Sequence, residues 1–368
     1  MKKWLKISNV VALSLSTLLV GCGDKSSSEQ YDAEELYGCN VINVYNAGEY
    51  IGDGVLATFE KMYNAKVNYD LFESNEIMYT KLLGGSSYDV LVPSDYMIER
   101  LLQEDMLQPL DKEALTNLDQ LNPDVVAMQK TYDPELKYSV PYFWGSVGLV
   151  YNKNNVDPAD IEKQGWDILK DSKYEGRVFM YDSQRDAFMV AFKALGYSMN
   201  TEDDTEIQNA YEWLKEMDTN VHPSYVTDEV IDAMANGEKD IAVVYSGDAA
   251  YILSENEDMA YFVPEEGTNL WVDAMVIPAN ASCPELAHEY INYMLDYDTA
   301  LANSSFVGYS SSNKEVFEEL AGEGGDYEGI NAYTPRVNYA KDEVFVNNEE
   351  VRKVISELWI KVKALNKQ

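Results

Sequence analysis

Trp271 and Asp273 stand two apart in the stretch Asn269-Leu270-Trp271-Val272-Asp273-Ala274-Met275-Val276-Ile277-Pro278. Apolar alternation, then an apolar run and a proline, reads as a strand. On a strand, residues two apart point to the same face. An indole beside a carboxylate suits an organic cation: the carboxylate makes charge-assisted hydrogen bonds, and the ring face attracts ammonium and covers methylenes. Taken alone, the pair reads more simply as a half-buried tryptophan at a sheet edge next to a solvated aspartate. Other chemistries lack their residues. The cysteines Cys22, Cys39 and Cys283 and the histidines His222 and His288 fit no usual zinc spacing, and no Gly-x-Ser-x-Gly elbow is present. No metal, cofactor or catalytic residue is expected.

The elements that must position this pair alternate. Residues 41–45 read as a buried strand, 53–63 as a helix with Val55, Phe59 and Met62 on one face, and 67–71 as a second strand. Asn75–Leu83 reads as a helix stopped by Gly84-Gly85, 88–92 as a third strand, and the helix after it holds Ile98, Leu101 and Leu102. Such alternation implies a mostly parallel sheet with right-handed crossovers, whose ligands bind beyond the carboxyl ends of the strands. The loops there are 46–50, 73–76 and 93–96. Residues 138–152 form a long extended crossing into a second domain. There the alternation resumes with a strand at 177–181, its loop 182–186, helices around Phe188 and Ile207, an N-cap at Thr227, and the strand Ile241–Tyr245 with its loop Ser246-Gly247-Asp248. The strand at 271–277 is followed by a helix Pro284–Leu295, a turn, the segment 306–310, and a C-terminal helix with Val351, Val354, Leu358, Val362 and Leu365 on one stripe. Two α/β lobes joined by extended crossings make a hinged cleft, a preferred place for ligands.

The chain has 368 residues, enough for two domains. Lys2, Lys3 and Lys6 precede an apolar stretch at 10–20, then Leu19-Val20-Gly21-Cys22 and a polar run. The apolar stretch is too short and too terminal for a comfortable span. A small residue, then cysteine, then a polar tether resembles a bacterial lipobox, with Cys22 as the lipid attachment site. The mature protein is then extracytoplasmic and lipid-anchored, at a cell surface or in a periplasm. Without residues 1–21, which carry three lysines and no acid, 25 basic residues face 64 acidic ones, a formal net charge of −39. That argues against a nucleic-acid partner and draws cations to the surface. An exported context permits a Cys39–Cys283 disulfide; the fold decides whether their Cα atoms meet.

Further motifs accompany the Trp271/Asp273 pair. They are Val44-Tyr45-Asn46-x-x-Glu49-Tyr50, Tyr69-x-x-Phe72-Glu73-Ser74-Asn75-Glu76-x-Met78-Tyr79, Tyr88-Asp89-x-x-Val92-Pro93-Ser94-x-Tyr96, Tyr138-Ser139-Val140-Pro141-Tyr142-x-Trp144-Gly145, Leu195-Gly196-Tyr197-Ser198, Ile277-Pro278-Ala279-Asn280-Ala281 and Val307-Gly308-Tyr309. In this order, from about residue 37 to the C-terminus, the chain resembles the spermidine/putrescine-binding proteins of polyamine ABC importers. The resemblance implies a two-lobed periplasmic-binding-protein fold with discontinuous lobes: 1–21 signal peptide, 22–36 tether, 37–143 plus 272–305 lobe 1, and 144–271 plus 306–368 lobe 2. It implies a monomer that hands polyamine to a membrane permease without catalysis. Its ligand-binding residues are Glu49, Tyr50, Ser94, Tyr96, Ser183, Asp186, Tyr245, Trp271, Asp273 and Tyr309.

The chain also departs from that pattern. Ala47 stands where the family often has tryptophan, Tyr245 stands at a tryptophan position, and Ser183 stands at an acidic one, with Asp182 adjacent as a substitute. A late glutamine position falls near 345–347. Spermidine and putrescine therefore both stay open. Tyr45, Phe143 and Trp144 read as core or hinge packing, Glu73 and Glu76 as acids at a helix start, and Asp248 as a helix cap. The rival readings are the same fold holding ferric iron, a sugar or an amino acid, and an exported carboxylate-dependent hydrolase.

Overall fold

A computed structural model of the chain describes residues 30–48 and 50–365. Cys22, the signal segment and Glu49 lie outside the described residues. Within the stretch expected as a tether, Asp32 caps a short helix, Ala33–Tyr37, and the Tyr31 N–H donates to Met62 O at 2.7 Å.

The strands are β1 (Val41–Ala47), β2 (Lys66–Phe72), β3 (Val90–Leu91), β4 (Ser139–Asn152), β5 (Val178–Tyr181), β6 (Ser224–Val226), β7 (Ile241–Tyr245), β8 (Met259–Phe262), β9 (Leu270–Val276) and β10 (Ser310–Ser311). Their order is β2-β1-β3-β9-β4-β7-β5-β6, with β8 and β10 also on β4. The expected parallel sheets are present as two trios, β2-β1-β3 and β7-β5-β6. Between them β9 and β4 run antiparallel to their neighbours, so the sheet as a whole is mixed.

β4 explains how one sheet serves two lobes. Its residues from Ser139 to Ser146 pair with β9, and from Val147 to Tyr151 they pair with β7. Every β4 residue but Asn152 is buried, which accounts for its almost continuous apolar and small-residue run. Trp144 and Phe143, expected in the core or hinge, are 1% exposed on this shared strand.

Three sequence expectations change. The turn expected after Leu295 is a cap at Asp296, and the chain continues as a helix, Tyr297–Val307, ended by left-handed Gly308. The helix expected to be capped by Thr227 runs Glu229–Ala235 with Asp228 at its cap, while the Thr227 hydroxyl donates to Glu229. On the C-terminal helix, Glu349–Leu365, the buried residues are Ile355, Trp359 and Val362, whereas Val354 and Leu365 are exposed. The inward stripe is rotated because Trp359 belongs to it: its indole donates to Asp182 and its ring meets Tyr225 edge-on.

Cys39 and Cys283 form a disulfide with Cα atoms 6.2 Å apart. It joins the approach to β1 to the start of the helix Pro284–Leu295.

Candidate binding site between the lobes

The loops that follow strands of both trios converge on β9. Pro93–Ser94 follows β3 and is stitched to β9 by main chain: Ala274 N–H donates to Pro93 O at 3.0 Å, and Ser94 bridges Asp273. Asp95 reinforces the seam, accepting from Val272 N at 3.1 Å and Tyr96 N at 2.6 Å. Asn75 then fixes Ser94, accepting from its N–H at 3.2 Å and donating to its Oγ at 3.0 Å. From the other trio, β5 leads into the helix Gln184–Ala194, and β7 leads into the helix Ser246–Glu255.

Tyr50 and Asp273 are 223 residues apart in sequence, and the Tyr50 hydroxyl donates to Asp273 Oδ2 at 2.6 Å. Tyr309 donates to Asp248 Oδ1 at 2.8 Å, and Tyr245 donates to Asp186 Oδ2 at 2.8 Å. The rings are contiguous. Tyr309 meets Tyr50 edge-on at 5.5 Å and Trp271 at 5.2 Å, and Trp271 meets Tyr245 at 6.2 Å. Trp271 and Asp273 thus face one ring-lined cage, as their spacing predicts. Two polar atoms of this cage are buried without a hydrogen-bond partner: Trp271 Nε1, a donor, and Asp186 Oδ1, an acceptor. Buried polar atoms are rarely left so.

Two glycines make the cage possible. A Cβ at Gly145 would overlap the Trp271 indole and Ser246 Oγ, and one at Gly247 would overlap the Tyr309 ring. Both rings lie directly on backbone.

Burial pushes the carboxyls of Asp186 and Asp273 above the usual range, although the Tyr50 and Tyr245 hydrogen bonds pull the other way. Burial raises Asp248 to about 7, against the pull of the Tyr309 hydrogen bond. It raises Asp95 to about 8, with Asp273 nearby adding to the effect. The same burial, joined by the neighbouring carboxylates, holds the phenols of Tyr50, Tyr245 and Tyr309 well above their ordinary value. The cage is therefore a set of desolvated acids held by phenol O–H groups, a surrounding that favours a cation with apolar spacers.

The expected residues divide. Tyr50, Asp186, Tyr245, Trp271, Asp273 and Tyr309 come together. Ser94 borders Asp273. The Ser183 hydroxyl caps the helix Gln184–Ala194 by accepting from Asp186 N at 3.3 Å. Asp182 does not substitute for an acid there: Lys363 holds it at 2.6 and 2.9 Å and the Trp359 indole at 3.1 Å. The face of Tyr96 is covered by the Arg185 guanidinium, 3.2 Å above the ring centre. Asn347, in the late stretch where a glutamine is expected, donates its main-chain N–H to Glu99 at 2.6 Å.

Asp248 is the acid that sequence reading misses as a site residue. It sits in the first turn of its helix, as expected of a capping acid, but its carboxylate accepts from Tyr309. The signal was available, because β7 ends at Tyr245 and residues just past a strand's carboxyl end are site candidates. Asp95, the first residue of the helix Asp95–Gln103, falls within the candidate loop 93–96 but is absent from the expected ligand set.

A depression of about 490 Å³ lined by Asp53, Glu289, Asp296 and Asp298 touches none of the cage residues.

The mixed α/β sheet, with its acid-and-ring cage where the two trios meet, is a two-lobed solute-binding fold. Residues 54–327 match the bacterial extracellular solute-binding protein family, and the chain belongs to that family. It is 36% identical over 276 residues to the spermidine/putrescine-binding periplasmic protein of Escherichia coli (strain K12), spanning 74% of this chain and 78% of that one. It is 30% identical over 380 residues to the putrescine-binding periplasmic protein PotF of the same organism, spanning 99% and 98%. Among solved structures it is similar to the spermidine/putrescine ABC transporter substrate-binding protein PotD from Streptococcus pneumoniae strain Canada MDR_19A. That match has a TM-score of 0.77 and 33% identity, and covers 89% of this chain and 99% of that chain.

Proposed function

We propose that this protein captures a linear polyamine, spermidine or putrescine, in the cage between its lobes and delivers it to the permease of an ABC importer. The observation that carries the reading is the cage itself: Asp186, which is buried, and Asp248 and Asp273, which are half-buried, each accept from one phenol, and none of the three has a salt bridge among the described residues. An ammonium at each end of a methylene chain would pair these acids, and Tyr50, Tyr245, Trp271 and Tyr309 would cover the spacers. Asp248 supports a second-lobe anion where Ser183 provides none and Asp182 is committed to Lys363. Relatives that span most of the chain and carry polyamine-binding names support the same ligand class.

Capture, rather than turnover, is the proposed action. The lobes, 37–143 plus 272–305 and 144–271 plus 306–368, close over the ligand by bending where β4 changes partners at Ser146 and Val147. The protein acts as a monomer outside the cytoplasm, tethered through Cys22 beside the permease. Ferric iron would require oxygen ligands converging on one point, whereas Tyr50, Tyr245 and Tyr309 each donate to a different carboxylate, Asp273, Asp186 and Asp248.

A thermal-shift panel with putrescine, spermidine, spermine, arginine, maltose and ferric citrate tests the ligand class. Only polyamines are expected to raise the midpoint, and calorimetry followed by recovery of unmodified polyamine separates capture from hydrolysis. A response confined to sugars or iron would sink the reading.

The pH profile carries a sign. Asp248 and Asp95 have folded-state values of about 7 and about 8, against about 3.9 in an unfolded chain. Their contribution to the ligand-free fold is present at acid pH and is lost as pH rises from about 4 through 7 to 8. A bound ammonium reverses the cost. The polyamine-induced midpoint shift is therefore expected to grow from pH 5.5 to 8, with protons released on binding at the lower pH; a shift that shrinks over that range would contradict the cage assignment.

The glycine under Tyr309 gives a steric test. Gly247→Ala is expected to displace the ring and weaken polyamine binding by about tenfold or more, with circular dichroism unchanged. An unaltered Kd would remove Tyr309 from the site.

A further inference from the structure

Arg185 follows the capping Ser183 and precedes the cage acid Asp186, in the first turn of the helix Gln184–Ala194. Its guanidinium leaves its own lobe. It ion-pairs with Glu76 on the helix Asn75–Leu83 and lies 3.2 Å over the centre of the Tyr96 ring on the helix Asp95–Gln103. Both helices begin just past strand ends of the β2-β1-β3 trio, and Arg185 belongs to the β7-β5-β6 side. The Arg185 side chain is 14% exposed, whereas Glu76 keeps 44% of its surface. A guanidinium is the side chain that can stack flat on a ring and still fork to a carboxylate.

We infer that Arg185, Glu76 and Tyr96 form a clasp across the cleft, making Arg185 a positioning residue that holds the lobes closed. The inference rests on the two-lobed capture reading above. Its physical content is that part of the closing free energy is internal to the protein. The polyamine need not bridge the lobes alone, because a protein cation already joins them at one side of the cage. Arg185 also sets a fixed positive charge next to Asp186 and near Asp95, so it biases both acids toward their ionised forms. Opening the cleft breaks the ion pair and uncovers the Tyr96 face, so the clasp acts on ligand escape more than on ligand entry. Glu76, placed by sequence reading as an acid serving its helix start, has this second and longer-range partner.

Small-angle scattering of the ligand-free protein tests the clasp without reference to any ligand. Glu76→Gln and Arg185→Met are each expected to increase the radius of gyration relative to wild type. The double variant should scatter like either single one, since the two residues act as one device, and Arg185→Lys, which keeps the charge but loses the flat stack, should fall between. Identical scattering by all of these proteins, or singles whose effects add in the double variant, would overturn the inference. Stopped-flow Trp fluorescence with spermidine supplies the second arm: the dissociation rate should rise roughly 10- to 30-fold in Arg185→Met with the association rate nearly unchanged, and an unchanged dissociation rate would overturn it equally. If wild type binds no polyamine, the proposed ligand falls, and the scattering comparison still decides the clasp.

Discussion

Asp273→Ala is expected to lower polyamine affinity by about 3–5 kcal/mol, the cost of leaving an ammonium unpaired in the closed cage. The loss has two parts. An ammonium that enters the cage finds no carboxylate on the β9 wall, and the Tyr50 hydroxyl, which donates to Asp273 at 2.6 Å, loses its acceptor while Tyr50 stays 7% exposed. Isothermal titration checks the number. Asp273→Asn provides the companion, because it keeps the shape and an acceptor for Tyr50 but removes the charge. Neither variant should unfold the protein. Burial raises the Asp273 carboxyl above its ordinary value, so its charge works against the ligand-free fold at neutral pH. At pH 8 the ligand-free midpoint of Asp273→Asn is expected at or above that of wild type. Wild-type affinity in Asp273→Ala would place the ligand elsewhere.

Replacing both Cys39 and Cys283 by serine is expected to cost about 2–5 kcal/mol of folding stability. The bridge spans 244 residues, so in the chain-entropy view it removes a large loop-closure freedom from the unfolded state. It ties the approach to β1 to the helix that follows β9, two segments of the sheet's first half that are far apart in sequence. Urea unfolding with and without reductant measures the loss. Neither cysteine touches a cage ring or acid, so polyamine Kd in the folded double variant should stay within about twofold of wild type. A stability loss near zero would mean that packing around Cys283, itself 2% exposed, already holds the two segments together.

How far the sequence carries depends on the range of the interaction. Strand and helix existence follow from periodicity, which is local: the helices Asn75–Leu83 and Pro284–Leu295 have the bounds that pattern and punctuation assign. Errors arise where a local pattern offers two solutions. The C-terminal helix reads as a neat aliphatic stripe, yet the face that carries Trp359 wins because its indole finds Asp182 and its ring finds Tyr225. The helix Tyr297–Val307 looks like a turn in sequence because its polar and small residues give a weak apolar stripe.

Sequence by itself determined that the chain alternates strands and helices, that loops beyond the strand ends hold acids and rings, and that Trp271 and Asp273 share one strand face. Each is a consequence of backbone geometry acting over a few residues. Only the tertiary structure decided the partners. It set Tyr50 on Asp273, Tyr309 on Asp248, Asp182 on Lys363, Arg185 on Glu76 and Cys39 on Cys283. The cage pairings follow from β4 and β9, which bring the strand ends of both trios to one place, while Asp182 meets the C-terminal helix and the disulfide ties the approach to β1 to the helix after β9; no periodicity in the sequence encodes which acid a distant hydroxyl or guanidinium will meet once water is excluded.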